Sequence, residues 1–265
     1  MSFLPVKQFH YSLLLLFLLP FYGCSEGENN KQPGEIVQIS TIDALLQGVY
    51  DGPTTLSELN AYGDFGIGTF NALDGEMVLL DGKFYQVKAS GKVVQPEEEV
   101  QTPFATVTFF ETDNSCKVSN LDYPGLKSTL DSLLDSPNLF YAIRLTGTFP
   151  HVKTRSVPEQ QQPYPPLVEV TRQQPEFSKK NVTGTLVGFY APPFVTGINV
   201  PGYHLHFLSE DRSFGGHVLG FEMKKGELFL DQISSFSIEL PESGDFMNLD
   251  FGKDRSDELK KVEGE

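Results

Sequence analysis

Five prolines within residues 156–177 constrain the fold of this chain more than any other sequence feature. They are Pro158, Pro163, Pro165, Pro166 and Pro175, and a run of three glutamines lies among them. Proline fixes φ and lacks a backbone N–H, so no regular helix or strand can cross this segment without interruption. The segment is therefore predicted to connect an N-terminal domain over residues 39–155 with a C-terminal domain over residues 178–265.

Short β-strands separated by turn residues are predicted on both sides of this connection. Before it, the strand-like segments are residues 66–70, 77–80, 83–88, 104–111 and 140–149, with Asp-Gly turns at 74–75 and 81–82. After it, they are residues 184–190, 203–208, 217–223, 227–233 and 236–240. Apolar residues at helical spacing predict a helix over 41–50 and another between 117 and 138. The predicted fold class is α+β, with two mixed or antiparallel sheets and a few helices.

The first residues have the composition of a bacterial secretion signal. Lys7 is followed by an apolar run over residues 13–19, which is shorter than the roughly 20 residues that a membrane-spanning helix needs. Residues 1–23 are therefore predicted to be a signal peptide, and residues 24–38 a polar tether. Cys24 after a glycine resembles a lipoprotein cleavage site. We expect a lipid anchor at Cys24 on the periplasmic or extracellular side, with plain secretion as the alternative.

Charge and cysteine content exclude several classes of function. The net charge of −15 disfavours binding to nucleic acid or to an anionic membrane surface, so membrane contact is expected only through the lipid at Cys24. If Cys24 is lipidated, Cys116 is the remaining thiol and no disulfide framework can form. The chain has no glycine-rich dinucleotide fingerprint and no phosphate-binding loop, so no organic cofactor is expected.

Three histidines lie within the fourteen residues 204–217. His204 and His206 are two residues apart on a predicted strand, so both side chains project from the same face. If the polar stretch 209–216 reverses the chain between Asp211 and Arg212, His217 lies opposite His206. Three imidazoles on one hairpin of the C-terminal sheet are typical of catalytic zinc, although imidazole also suits iron, nickel or copper. We therefore predict a metal centre here.

The strand that carries His204 and His206 also resembles the first metal motif of the cupin barrels, with Glu210 four residues further on. Cupins need another histidine on a later strand, and no histidine follows His217. A cupin-like metal-dependent oxygenase or isomerase therefore has half of its signature and stays an alternative. A non-catalytic exported lipoprotein that binds zinc is a second alternative.

Several longer segments, in the same order along the chain, resemble the acetolactate decarboxylase family. These segments read STIDALLQGVYDG (40–52), GDFGIGTF (63–70), LDGE (73–76), TPFA (102–105), AIR (142–144), YPPL (164–167), GYHLH (202–206) and GGHV (215–218). The resemblance covers nearly all of the chain after residue 39. It implies a metal enzyme that converts 2-acetolactate to acetoin and carbon dioxide, with two sheets and a homodimeric state.

The resemblance also implies which residues form the site. The metal ligands are implied to be His204, His206 and His217, the catalytic residues Glu76, Arg144 and Glu263, and the substrate-binding residues Thr69 and Arg144. Glu265, two residues beyond Glu263, is a rival for the acidic role in the tail.

Loss of carbon dioxide from 2-acetolactate pushes an electron pair toward the ketone oxygen, so the reaction requires an electron sink. Zn²⁺, or another divalent metal, can stabilise the resulting enediolate as a Lewis acid. In this interpretation Arg144 holds the carboxylate through its planar guanidinium group. Glu76 or Glu263 then protonates the enediolate.

Overall fold

The computed structural model describes residues 1–2 and 34–263. Residues 34–263 form fourteen strands, which are β1 (Glu35–Ile39), β2 (Thr54–Thr55), β3 (Phe65–Thr69), β4 (Glu76–Leu80), β5 (Lys83–Val87), β6 (Val93–Val94), β7 (Gln101–Thr102), β8 (Ala105–Thr108), β9 (Asn114–Asp122), β10 (Phe140–Arg155), β11 (Glu176–Ala191), β12 (Gly202–Ser209), β13 (Gly215–Ile233) and β14 (Ser235–Glu239). They also form five α-helices, which are α1 (Ile42–Leu46), α2 (Leu56–Leu59), α3 (Tyr123–Leu133), α4 (Leu167–Val170) and α5 (Ser256–Glu263).

Some predictions fall on residues outside the described part of the chain. These are the signal peptide beyond its first two residues, Cys24, most of the tether, and Glu265. Among the described residues, no helix is long and apolar enough to cross a membrane.

The first sheet has seven strands in the order β14-β1-β8-β3-β4-β5-β6. Strand β14 is parallel to β1, whereas the other neighbours in this sheet are antiparallel. The parallel pair makes the sheet mixed, as predicted. Strands β3, β4 and β5 form a meander whose turns are the Asp-Gly pairs identified in the sequence, and Gly75 and Gly82 both have positive φ.

The second sheet has five strands in the order β10-β11-β12-β13-β9, with an additional pairing between β10 and β13. Because of this pairing, strands β10, β11, β12 and β13 form a closed sheet. The core inside it includes Leu145, Phe149, Leu186, Phe207 and Leu228. Helix α3 packs against the same core through Leu126 and Leu130. The α+β prediction with two sheets and few helices is therefore confirmed.

Strand β13 is one continuous element, although the sequence predicted two strands over 217–223 and 227–233. The polar residues between them suggested a turn. The strand instead continues because it is paired with β10 along its length, with Gly226 opposite Gly147. A Cβ on Gly147 would lie 2.3 Å from the carbonyl oxygen of Lys225, so glycine permits this close approach.

The sheets do not divide the chain at the proline-rich connection. Strands β9 and β10 precede it but pair with the strands that follow it, and β14 follows it but pairs with β1. The reason is that β10 and β11 are antiparallel neighbours, so the connection between them returns the chain to the same sheet. The connection is ordered, since α4 buries Leu167 and Val170, and the Tyr50 hydroxyl donates to the carbonyl oxygen of Pro165 at 2.8 Å.

Three helices cover one end of the two sheets. Helices α1, α4 and α5 share an apolar cluster, here called the helical cluster, whose members include Ile42, Leu45, Leu167, Leu259 and Val262. Thr41 caps α1 by accepting from the Ala44 N–H at 3.1 Å. The helix ends at Leu46, earlier than predicted, and Gly48 follows with a φ of +91°. The predicted metal ligands lie beside this cluster.

Candidate metal centre

The three predicted metal ligands converge on one point. His206 and His217 are directly opposite each other on β12 and β13, as the hairpin geometry predicted. One potential ligand atom from each of His204, His206 and His217 lies within 4.8 Å of the others. The shortest approach is 3.2 Å, between Nε2 of His204 and Nδ1 of His217. Three imidazole nitrogens at this separation can bind one metal ion.

The environment of His206 shows which of its nitrogens would bind the metal. Its Nδ1 lies 2.7 Å from the carbonyl oxygen of Met77, so that nitrogen carries the proton and donates. Its Nε2 is therefore the acceptor, and it is buried with no hydrogen-bond partner among the described residues. A metal ion would use this lone pair, and Met77 would fix the ring as carbonyl groups do around bound metals.

Gly216 lets β13 bring His217 into place. It has a φ of +122°, and a Cβ on it would lie 2.4 Å from the carbonyl oxygen of Arg155 on the neighbouring strand. Only glycine accommodates both the conformation and the close contact. Arg155, the last residue of β10, is the cross-strand neighbour of His217. The close contact at Gly216 therefore also sets the position of Arg155.

Two glutamates flank the histidines. An oxygen of Glu76, at the start of β4, lies 3.6 Å from Nε2 of His206, and an oxygen of Glu263, at the end of α5, lies 3.6 Å from Nε2 of His217. Glu263 reaches this position because Leu259 and Val262 of α5 are buried in the helical cluster. The structure therefore brings both predicted acids to the triad.

Thr69 organises the turn that leads to Glu76. The two residues are cross-strand neighbours on β3 and β4, and the Thr69 hydroxyl donates to the carbonyl oxygen of Gly75 at 2.7 Å. Thr69 also lines the cavity that contains the triad, as predicted. Its side chain thus holds the Asp74-Gly75 turn and the carboxylate that follows it.

Burial sets the protonation of this site before any metal binds. It lowers the pKa of His204 to about 3 and holds the pKa values of His206 and His217 well below the ordinary value, and the charge of Arg155 acts in the same direction. Burial raises the pKa of Glu76 to about 8, an effect that Arg155 opposes and Glu263 reinforces. The site thus offers three neutral imidazoles and a protonated acid at neutral pH.

A small cavity of about 60 Å³, here called the metal pocket, contains the triad and both glutamates. Its other walls are mainly apolar and include Leu73, Phe104, Leu167 and Val262. A second cavity of about 520 Å³ adjoins it and shares His217 and Glu263 with it. The metal pocket is therefore narrow and lined in large part by apolar side chains, with a wider space beside it.

Comparison with known proteins identifies the family. The family model for alpha-acetolactate decarboxylase matches residues 36–253. The chain belongs to the alpha-acetolactate decarboxylase family. A relative of that name from Methanosarcina mazei is 50% identical over 236 residues, which are 89% of this chain and 82% of the relative. One from Bacillus subtilis is 42% identical over 87% of this chain and 92% of its own length.

The fold agrees with the family assignment. A crystal structure of alpha-acetolactate decarboxylase from Bacillus subtilis strain 168 superposes with a TM-score of 0.85 at 41% identity. The match covers 87% of this chain and all of that one. The family match in sequence ends at residue 253, before α5 begins, so the position of Glu263 comes from the structure of this chain.

Arg144 is the predicted site residue that the structure does not bring to the alpha-acetolactate decarboxylase site. Its guanidinium group donates to Asp81 at 2.8 Å in the β4–β5 turn, and both side chains are substantially exposed. The partner of this charge is therefore a surface carboxylate. The structure therefore does not place Arg144 where the family resemblance implied.

Arg155 occupies the place expected for Arg144. It ends β10 opposite His217, is 5% exposed, and is the one cation among the described residues lining the metal pocket. Its charge acts on the buried carboxyl group of Glu76 and lowers the pKa of that group. The sequence carried one signal for it, since Arg155 directly precedes the proline-rich connection. That signal does not show which strand lies opposite.

His151 is not part of the triad. It is on β10 opposite Lys180 and Glu222, and it is half-buried. It therefore serves as an internal comparison for the three histidines that converge.

Proposed function

We propose that this protein decarboxylates 2-acetolactate to acetoin and carbon dioxide, with Zn²⁺ held by His204, His206 and His217. The observation that carries the proposal is the buried, unpartnered Nε2 of His206 within a three-histidine cluster. Relatives that share 40–50% of its sequence are named alpha-acetolactate decarboxylase. These two lines of support are independent, because one is local chemistry and the other is overall similarity.

The donor set fits zinc. Neutral imidazoles are good zinc ligands, and a site with three protein ligands keeps positions for substrate oxygens. When bound, zinc would supply a Lewis acid for the electron pair that decarboxylation leaves on the ketone oxygen. Imidazole ligands also suit other divalent metals, so metal content must be measured.

Arg155 would hold the carboxylate of the substrate. Its guanidinium group is buried in the wall of the metal pocket, and its planar fork of donors matches a carboxylate through two parallel hydrogen bonds. Because Arg155 lies opposite His217, a carboxylate held by it remains close to the triad. The same contact fixes which bond breaks, since the carboxylate is the group that leaves as carbon dioxide.

Glu76 would supply the proton that replaces carbon dioxide. Its carboxyl group is buried beside His206, and burial keeps it protonated at neutral pH. A positioned acid on one side of the reacting carbon would give a single acetoin enantiomer. Glu263 lies on the opposite side of the triad, beside His217, and closes the pocket. Its negative charge helps to keep Glu76 protonated.

The apolar walls would select the rest of the substrate. Leu73, Phe104 and Val262 offer surfaces for the two methyl groups of 2-acetolactate and exclude water from the reacting centre. A dry pocket strengthens every charge interaction inside it.

The proposal is tested by incubating purified protein with racemic 2-acetolactate and following acetoin and carbon dioxide. Chelation should abolish turnover, and Zn²⁺ should restore it. Metal analysis of the untreated protein should give about one zinc ion per chain, as expected for three protein ligands at one point. Absence of acetoin from the zinc-loaded protein would contradict the proposal.

The alternatives predict different results. A cupin-like oxygenase would consume molecular oxygen, and a non-catalytic lipoprotein would bind zinc without turnover. The family match favours the decarboxylase over both. The cupin signature also requires a fourth histidine, and no histidine follows His217 in the sequence.

We also propose export with a lipid anchor at Cys24, and a homodimeric state. The export proposal is supported by the sequence of residues 1–24. Mass spectrometry of the protein from membranes should show a lipidated N-terminal Cys24, and a Cys24→Ser variant should leave the membrane fraction. Light scattering of the soluble variant measures the oligomeric state, and a monomer would contradict the dimer.

A further inference from the structure

A glutamine in the proline-rich connection lines the metal pocket. Gln174 follows a short 3-10 helix over Thr171–Gln173 and precedes β11. Both Thr171 and Gln174 line the metal pocket, whereas Gln173 is exposed. The connection is therefore part of the pocket wall.

The side-chain carbonyl oxygen of Gln174 is buried and has no hydrogen-bond partner among the described residues. An amide oxygen can accept two hydrogen bonds. Leaving it unpaired away from water costs free energy, so each such atom in a native structure needs an explanation. Next to a ligand pocket, the simplest explanation is a donor on the ligand.

The chemistry of the proposed substrate identifies that donor. At neutral pH 2-acetolactate has one O–H group, on the carbon that bears the carboxylate, and its ketone and carboxylate oxygens only accept. Arg155 is a donor in the metal pocket and suits those accepting oxygens. The hydroxyl group requires an acceptor, and Gln174 offers one.

We propose that the carbonyl oxygen of Gln174 accepts a hydrogen bond from the 2-hydroxyl group of the substrate and makes the pocket selective for 2-hydroxy acids. The inference rests on the proposed function, because it assigns a contact within that site. A site built to pair with a hydroxyl group discriminates strongly against analogues that lack it.

The test compares two non-reactive ligands by calorimetry. 2-Hydroxy-2-methylbutanoate carries the hydroxyl group, 2,2-dimethylbutanoate has a methyl group in its place, and neither has the ketone that decarboxylation requires. In the zinc-loaded Gln174→Met variant, affinity for the hydroxy acid should fall about tenfold, as expected for one lost hydrogen bond. Affinity for the dimethyl acid should stay within about twofold, because it never made that bond.

The matched control is Gln173→Met, which makes the same change one residue away at an exposed position. It should leave both affinities unchanged. Zinc content and melting temperature of both variants show that the site and the fold are intact. An unchanged ratio of the two affinities in Gln174→Met would overturn the inference, as would an equal loss for both ligands, which indicates a packing role.

The binding experiment separates this inference from the proposed function, since it needs no turnover. If the parent protein makes no acetoin but Gln174→Met still loses selectivity for the hydroxy acid, the decarboxylase proposal fails and the contact stands. If the parent protein makes acetoin and Gln174→Met keeps the parental selectivity for the hydroxy acid, the Gln174 contact is wrong and the decarboxylase proposal stands.

Discussion

The two ends of strand β10 carry the same residue type in opposite circumstances. Arg144 lies in the first half of the strand, is 31% exposed in its side chain, and pairs with Asp81 across a surface turn. Arg155 ends the strand, is 5% exposed, and faces the histidine triad. The sequence around Arg144 resembled the family more clearly, yet Arg155 is the residue at the site.

The difference shows that strand pairing, rather than residue type, places a charge in a functional site. An exposed ion pair such as Arg144–Asp81 contributes about 0–1 kcal/mol to stability, so its loss is tolerated. A buried charge is costly unless other charged or polar groups pair with it, and Arg155 interacts with the Glu76 carboxyl group in the metal pocket. Arg155 therefore lies where it can act on a bound ligand, whereas Arg144 forms an ion pair at the surface.

The largest effect is expected from the triad next to Arg155. His206→Ala should abolish tight zinc binding and turnover together, because a three-histidine site has no spare protein ligand. His151→Ala removes a histidine on β10 between the two arginines and should change neither property. Metal analysis and acetoin production measure both variants. Equal zinc content in His206→Ala and the parent protein would remove His206 from the site.

The second effect compares the two arginines directly. Arg155→Lys should keep zinc but lower turnover by on the order of a hundredfold or more, since lysine replaces a bidentate fork with a point charge. Arg144→Lys should keep turnover within about twofold, because it changes only an exposed pair. Steady-state kinetics on zinc-loaded proteins decide the comparison. If Arg144→Lys were the damaged variant, the strand pairing described here would be wrong.

The third effect concerns the acids that flank the triad. Glu76→Gln and Glu263→Gln should each lower turnover by on the order of a hundredfold, the scale associated with a positioned acid or its charged neighbour. Glu265→Gln and the exposed Asp257→Asn on α5 should not. Point substitutions are preferable to deleting the last five residues, since deletion also removes Val262 from the helical cluster. Parental turnover in Glu263→Gln would leave Glu76 as the sole acid.

The smallest effect is the pH dependence of stability in the metal-free protein. The histidine pKa values are lowered by folding, so below about pH 6.5 the unfolded chain binds protons that the folded protein excludes. The pKa of Glu76 is raised to about 8. Between about pH 8 and 4.5 the folded protein therefore binds a proton that the unfolded chain does not, and Glu76 makes the folded protein more stable as the pH falls. Three histidines outweigh one glutamate, and stability should fall by about 3 kcal/mol from pH 7 to 5.

Chemical denaturation of the chelated protein at several pH values measures this effect. A variant with all three histidines changed to glutamine should lose less stability on the acidic side than the parent protein does. Glu76→Gln should lose the decline that the parent protein shows between pH 6.5 and 8, because that decline follows the ionisation of Glu76. If the free energy of unfolding changed with pH in the same way for all three proteins, the pKa shifts assigned to burial would be wrong.

The sequence alone predicted the three histidines that converge and could hold a metal ion, and it predicted the fold class. Local spacing was enough for the histidines, because strand alternation aligns His204 with His206, and a short hairpin brings His217 opposite His206. The meander of β3 to β5 followed from Asp-Gly turns and short apolar runs in the same way. In each case the contacts join residues that are close along the chain.

The tertiary structure alone decided which sheet each strand joins, and which arginine and which glutamine reach the pocket. Arg155 pairs with His217, Gln174 is placed by the connection between β10 and β11, and Glu263 is held by apolar contacts of α5 with helices far away in the sequence. Such contacts depend on the summed burial of both sheets rather than on a local pattern. The sequence therefore specified the centre of the site, and the packing of distant segments completed its walls.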